Sequence, residues 1–372
     1  MTPAEMEARI VRYGDLRPCK TAFIDAHTPG SNRKENFTII GGGVSESPDQ
    51  HVHIRETPGF NIGAAGQPPG CRNSLHTHRT AEVFFVLKGR WRFFWGRWGT
   101  AGEFVAEEGD IFNIPTGIFR AFENIGTDYG MIMAILGGDD AGGGVVWAPQ
   151  VITDAKDYGL VLGKNGKLYD TKQGQSLPEG VPPMPLLTDE ELKAFPEPNT
   201  AEVIPNCVAR YWDLMALSDR QPAKVIGAEG KLRDRPGFEV ELLSRNSIPA
   251  TPYTLNQHEV LMPMRGHWRL TWSDGTTILN PGDTAAIRAG SVNWEVTAAS
   301  TAVEAASGTV SFAPGATTAS DEFCCWPIWK SHRWLHWPMP CWSQKWTAHT
   351  MCGARWVLRS CTWPMCCPGT VE

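Results

Sequence analysis

Between Val83 and Pro115 the apolar residues come in short runs broken by turn residues: VFFVL, RWRFFW, EFVAEE and IFNIP. Runs this short and this closely spaced predict the antiparallel strands of a sandwich or barrel. In GRWRFFWGRW, strand alternation puts Arg90 and Arg92 on one face and Trp91, Phe93 and Trp95 on the other, which is the pattern of a half-buried strand. Helical signals are few. Thr2, Pro3 and Glu5 predict a capped N-terminal turn, a helical piece lies near Thr153–Tyr158, and Thr188 with Glu191 opens a second capping box that runs to Phe195. The prediction is an all-β fold with a little helix outside the strands. No apolar run approaches the roughly 18 residues needed to cross a bilayer. The first fifteen residues lack the apolar core of a signal peptide, so a cytoplasmic chain is expected.

The same patterning occurs twice. Arg12-Tyr13 and Asp15-Leu16 recur as Arg210-Tyr211 and Asp213-Leu214. IRETPGF (54–60) recurs as LRDRPGF (232–238), and EVFFVLKGRWRFFW from Glu82 recurs as EVLMPMRGHWRLTW from Glu259. Gly109-Asp110 returns as Gly282-Asp283. So long a period means two copies of one domain and not a solenoid. The expected organisation is a first domain over 1–147, a proline-rich connector with one short helix over 148–205, a second domain over 206–300, and an anomalous tail over 301–372.

That tail differs from the rest of the chain. From Asp321 onward it holds eight of the chain's 16 tryptophans and seven of its 10 cysteines. It shows neither strand nor helix period, and its cysteines have no zinc-ligand spacing. It reads as an out-of-frame or otherwise aberrant C-terminus. The other three cysteines, Cys19, Cys71 and Cys207, are scattered, as in a reducing compartment. With 42% hydrophobic and 20% charged residues, the remainder fits a globular protein. A net charge of −6 gives no polybasic footprint, so neither nucleic acid nor membrane is an expected partner. The glycine runs IIGGG and LGGDDAGGG fit no phosphate-binding loop.

The chemistry concentrates at His76, His78 and Glu82. Alternate residues of a strand share a face, so the two histidines converge. Glu82 joins them if the strand breaks briefly between Arg79 and Ala81. Two histidines and a carboxylate are the donor set of a three-ligand metal site. Phe84, Val86 and Phe112 read as core.

Gly70, His76, His78, Glu82 and Gly89 match the first cupin motif, G-x5-H-x-H-x3-E-x6-G, at every specified position. Gly109, Pro115, Gly117 and Asn124 match the second, G-x5-P-x-G-x2-H-x3-N, but Arg120 stands at its histidine. The chain therefore resembles the cupin superfamily and, through its repeat, a bicupin similar to cupin dioxygenases. The resemblance implies two tandem double-stranded β-helix (jelly-roll) barrels. It also implies a divalent metal on His76, His78 and Glu82, with Fe(II) first and Mn, Ni or Zn as other candidates. The implied activity is metal-dependent oxidation of a small, aromatic or carboxylate-bearing substrate, and the implied assembly is a homo-oligomer. The alternative is a metal-free cupin that binds a sugar or organic anion.

Arg120 cannot ligate a metal, which leaves three readings. It faces the cavity and orients an anionic substrate beside a three-ligand metal. It pairs with Glu82 in a metal-free barrel. Or it turns away, and His51 or His53 supplies a fourth ligand. In the second copy the histidine positions fall on Tyr253 and Leu255, Arg120 aligns with Asn293 and Pro115 with Arg288, while Glu259 persists. A structural domain without a metal is expected there.

Overall fold

Successive apolar residues of VFFVL are buried on opposite sides of one strand. Val83 and Phe85 face the other half of the chain, and Phe84 and Val86 face inward. A strand covered on both faces needs no polar alternation, and the rest of the molecule follows from this double burial. The computed structural model describes residues 1–138, 144–232, 238–247, 252, 254–290, 295–298 and 308–314. Tyr253, Asn293 and the Cys/Trp-rich segment lie outside the described residues.

The first half contributes β1 (Ile10–Val11), β2 (Glu35–Ile40), β3 (Val52–Ile54), β4 (Phe60–Gln67), β5 (Arg72–Thr77), β6 (Glu82–Lys88), β7 (Trp91–Trp95), β8 (Gly102–Ala106), β9 (Ile111–Ile114), β10 (Arg120–Asn124), β11 (Gly130–Gly137) and β12 (Val146–Trp147). β13 (Leu160–Leu162) and β14 (Leu168–Asp170) form a hairpin in the connector. The second half contributes β15 (Val208–Ala209), β16 (Ala223–Ile226), β17 (Phe238–Ser244), β18 (Glu259–Pro263), β19 (Trp268–Trp272), β20 (Gly275–Leu279), β21 (Thr284–Ile287), β22 (Glu295–Ala298) and β23 (Gly308–Pro314). The helices among the described residues are short: α1 (Pro3–Glu7), α2 (Pro149–Asp157), α3 (Asp189–Lys193), α4 (Thr200–Cys207) and α5 (Tyr211–Leu217). None of them is long and apolar enough to cross a membrane.

Both capping boxes form, Thr2 with Glu5 and Thr188 with Glu191. The connector carries more regular structure than the single helix expected. α4 opens on a third capping box, Asn199 with Glu202. Pro205 inside α4 hides it from a pattern search, because proline removes a helical donor.

The fold is all-β, two tandem jelly-roll barrels with a mixed connector. In the first barrel a sheet ordered β15-β9-β6-β11-β4-β2-β3 faces one ordered β12-β5-β10-β7-β8. Phe84, Phe93, Phe112, Phe122, Trp91 and Trp95 fill the space between them, with Phe84 and Phe122 ring centroids 5.0 Å apart. Each such ring stabilises the barrel by about 1.5–3 kcal/mol on burial. The second barrel sets β1-β21-β18-β23-β17-β16 against β20-β19-β22 around Trp268, Leu270 and Trp272. The two large sheets pack face to face, and Phe60 meets Phe238 at 5.4 Å.

The repeats also exchange their leading strands. β1 pairs with β21 of the second barrel, and β15 pairs with β9 of the first. The Arg-Tyr that follows each leading strand docks on an aspartate of the other copy. Asp283 accepts from Arg12 (2.9 Å) and from the Tyr13 amide (2.9 Å). Asp110 accepts from Arg210 (2.6 Å) and from the Tyr211 amide (2.9 Å). The two Gly-Asp pairs of the repeat are thereby explained. A Cβ on Gly109 would sit 2.4 Å from the Tyr211 ring, and one on Gly282 would sit 2.6 Å from Tyr13, and both glycines have positive φ.

Candidate metal centre

β5 carries His76 near its end, the chain breaks over His78–Ala81, and β6 begins at Glu82. This break allows the carboxylate to face the imidazoles. β10 lies beside β5 with Arg120 opposite His76, and the register slips by one residue between Arg120 and Phe122. Such a bulge re-aims side chains. One donor atom each from His76, His78 and Glu82 lies within 4.8 Å of the others, and all three residues are buried. This is the one group of three or more such donors among the described residues.

Each imidazole is oriented by a backbone carbonyl. His76 Nδ1 donates to Ser74 O at 2.7 Å, and His78 Nδ1 donates to Gly144 O at 2.9 Å. A carbonyl only accepts, so Nδ1 carries the proton and Nε2 of the neutral ring keeps a lone pair. Burial, and then the Arg120 charge, hold His76 well below the usual histidine range and His78 at about 4. Both rings are therefore neutral near pH 7. His78 Nε2 stands 3.8 Å from Glu82 Oε1. A carbonyl or carboxylate anchoring the second ring nitrogen is the usual support of a metal-bound histidine. A cation about 2.1 Å from each donor holds them about 3 Å apart, within a small adjustment of this arrangement. The residues present thus fit a divalent metal held by three single-atom donors.

Arg120 is buried behind the carboxylate. Its Nε (3.1 Å) and Nη2 both donate to Glu82 Oε2, and Nη1 donates to His76 O at 3.4 Å. It does not line the adjoining cavity, which His76, His78 and Glu82 do. The partners of Arg120, the Glu82 carboxylate and the His76 carbonyl, belong to the donor cluster. Arg120 does not turn away, and among the described residues no third histidine joins as a fourth ligand. His51 and His53 pack on each other at 4.5 Å, and His53 Nε2 accepts the Arg17 amide. In the second barrel Leu255 is buried and Arg288 pairs with Glu56.

The cavity holds about 70 Å³. Its walls are mostly apolar, among them Phe37, Phe84, Phe122, Leu136 and Trp147, with Asn36, Thr38, Ser45, Gln50 and Asn73 as polar exceptions beside the donor cluster. Trp147 packs on His76 at 5.3 Å, and its indole N–H donates to Glu46 Oε1 at 2.7 Å. Glu46 Oε2 accepts the Ile24 amide at 2.9 Å. Burial pushes this carboxyl up to about 8. Behind Asn73, buried Lys34 pairs with Asp25 and donates to Asn73 Oδ1 at 2.8 Å. Sequence reasoning missed Asn36, Glu46, Asn73 and Trp147. They come from separate segments, and no local spacing joins them.

Residues 66–136 match the cupin domain family. The first barrel is a cupin. That match spans both motifs of the barrel and the whole donor cluster. No curated protein sequence matches the chain. Among solved structures, oxalate decarboxylase of Bacillus subtilis is similar at 13% identity over 82% of this chain and 77% of that one, with a TM-score of 0.47. The Lactobacillus farciminis oxalate decarboxylase formate complex gives 12%, 82% and 86%, with 0.47. Salicylate 1,2-dioxygenase from Pseudaminobacter salicylatoxidans gives 14%, 82% and 83%, with 0.46.

Proposed function

We propose that this chain is a cupin-type, dioxygenase-like oxidoreductase that holds a divalent metal, Fe(II) in the first instance, on His76, His78 and Glu82. One observation carries this reading. Two neutral, buried imidazoles with free Nε2 atoms converge with a buried carboxylate at the wall of a cavity. When bound, such an ion supplies the Lewis acidity and one-electron chemistry that no side chain here offers. The Ser74 and Gly144 carbonyls fix the two rings. Arg120 immobilises one oxygen of Glu82 and leaves Oε1 toward the histidines. The apolar walls keep bulk water from the reacting group. A cavity of about 70 Å³ is well below the ~150 Å³ that accommodates benzene, which supports a non-aromatic substrate of a few heavy atoms. Cys19 and Cys71 are free thiols, in keeping with a cytoplasmic enzyme.

The ion pair between Arg120 and Glu82 favours a second reading, a metal-free barrel that binds a small molecule. Metal analysis of purified protein, and of protein incubated anaerobically with Fe(II), decides between them. Stoichiometric metal that is lost in His76→Ala is the expected result. A wild-type chain that neither carries nor takes up Fe, Mn, Ni or Zn overturns the metal reading.

A further inference from the structure

Among the polar residues that interrupt the apolar lining of the cavity are two asparagines, one from each sheet of the barrel. Asn36 lies on β2 opposite Ala65 of β4, and Asn73 lies on β5 opposite Phe122 of β10. Their hydrogen bonding differs. Asn73 Oδ1 accepts from Lys34 Nζ at 2.8 Å. An ammonium only donates, so this bond fixes the amide orientation and leaves the Asn73 NH2 as a donor for the cavity. Asn36 is only 8% exposed, and its Oδ1 has no partner. Its backbone is fully engaged, with Cys19 bonded to both N and O, so the strand needs nothing from the side chain. A buried polar atom without a partner is destabilising by more than an ordinary hydrogen bond returns, and an apolar residue would serve the fold better. Charge is absent from this wall, because Lys34 is neutralised by Asp25 and its ammonium also lies 5.3 Å from the Phe23 ring centroid.

We propose that Asn36 and Asn73 form a recognition subsite for a neutral group that both donates and accepts, a hydroxyl on a small carboxylic acid. The donor is the Asn73 amide nitrogen and the acceptor is Asn36 Oδ1. The assignment deepens the oxidoreductase reading and rests on it only for the carboxylate end of the ligand, which the metal centre would take. A ligand that lacks the hydroxyl leaves the subsite unpaired and is rejected. Asn36 is therefore a specificity residue, kept despite its effect on stability.

The test is isothermal titration of the full chain, with and without Mn(II), using 3-hydroxypropionate and propionate as probes. Thermal melting of the ligand-free protein and metal analysis accompany it. The wild type is expected to prefer the hydroxylated acid about tenfold. Asn36→Leu is isosteric in heavy atoms. It should abolish the preference, keep the metal content, and melt about 1–4 °C above the wild type. Asn36→Ala cannot overpack the cavity and should abolish the preference as well. A wild type that binds the two acids equally, or neither, overturns the subsite. So does an Asn36→Leu or Asn36→Ala protein that keeps the preference, or one that melts well below the wild type, which would make Asn36 structural. The two readings fail separately. A hydroxyl preference in a chain that takes up no metal removes the metal centre and leaves the subsite. Stoichiometric metal without a preference does the reverse.

Discussion

Arg120 stands where the second cupin motif has a histidine, and its guanidinium closes on Glu82 instead of meeting a ligand. Replacing it with histidine offers a fourth donor and removes a positive charge beside the cation site. Arg120→His is therefore expected to tighten Mn(II) or Fe(II) binding by tenfold or more, read by competition with a chelator. Unchanged affinity would place position 120 out of reach of the metal. Arg120→Met has the opposite character. It leaves Glu82 buried without its cation, which costs about 3–5 kcal/mol in the metal-free protein, and added metal should restore part of that in a denaturant melt. Glu46 offers a pH test. Its unfolded carboxyl ionises near 4.5 and its folded one near 8. Between those values the folded state binds the extra proton, so the contribution of Glu46 to stability is present below about 4.5 and declines as pH rises toward 8. Its slope approaches 1.4 kcal/mol per pH unit. Glu46→Gln should melt lower at pH 5 and show a flatter decline to pH 8. Parallel pH profiles would mean that Glu46 is already ionised in the folded protein.

At the scale of elements, the crossed arms depend on one aspartate each. Asp110→Ala and Asp283→Ala both remove a charged partner and the acceptor of a buried amide. Each should lower stability by about 1–3 kcal/mol. A matched pair of denaturation midpoints is the expected result, and a silent Asp283→Ala would mean that β1 holds without its clasp. The repeat of Arg-Tyr and Gly-Asp was visible in the chain before any fold, and so were the strands and both long-range motifs. Their pairing across copies was not. Sequence similarity relates Arg12 to Arg210 but does not reveal that each contacts the aspartate of the other copy, since nothing in a one-dimensional repeat distinguishes a self-contained barrel from an exchanged one. The donor cluster was legible for a local reason, because its three residues lie within seven positions. The walls around it were not, because Asn36, Asn73 and Trp147 come from separate strands, with Glu46 bonded to Trp147. Arg120 could be located but not oriented: motif alignment gives a position in a strand, while the bulge beside it decides where the side chain goes.

On the scale of the whole molecule, the shared core between the two large sheets and the two exchanged arms join the barrels more strongly than the connector does. Cleavage at an engineered protease site between Gly174 and Gly180, an exposed stretch, should leave both pieces eluting together in gel filtration. Two separate peaks under native conditions would show that covalent linkage holds the barrels. Exchange also has a consequence for how the protein is made. The residues of β1 leave the ribosome well before those of β21, and Asp283 lies 271 positions beyond Arg12. At about 5–20 residues per second, the arm waits roughly 15–50 s for its dock. The first barrel is also incomplete at its β9 edge until Val208–Ala209 emerges. For that interval the nascent chain presents Ile10 and Val11 together with an open sheet edge, a combination that invites pairing with the wrong strand. Synthesis that stops before Thr284 leaves the arm without its partner strand, so a lesion that far downstream reaches a strand made long before it.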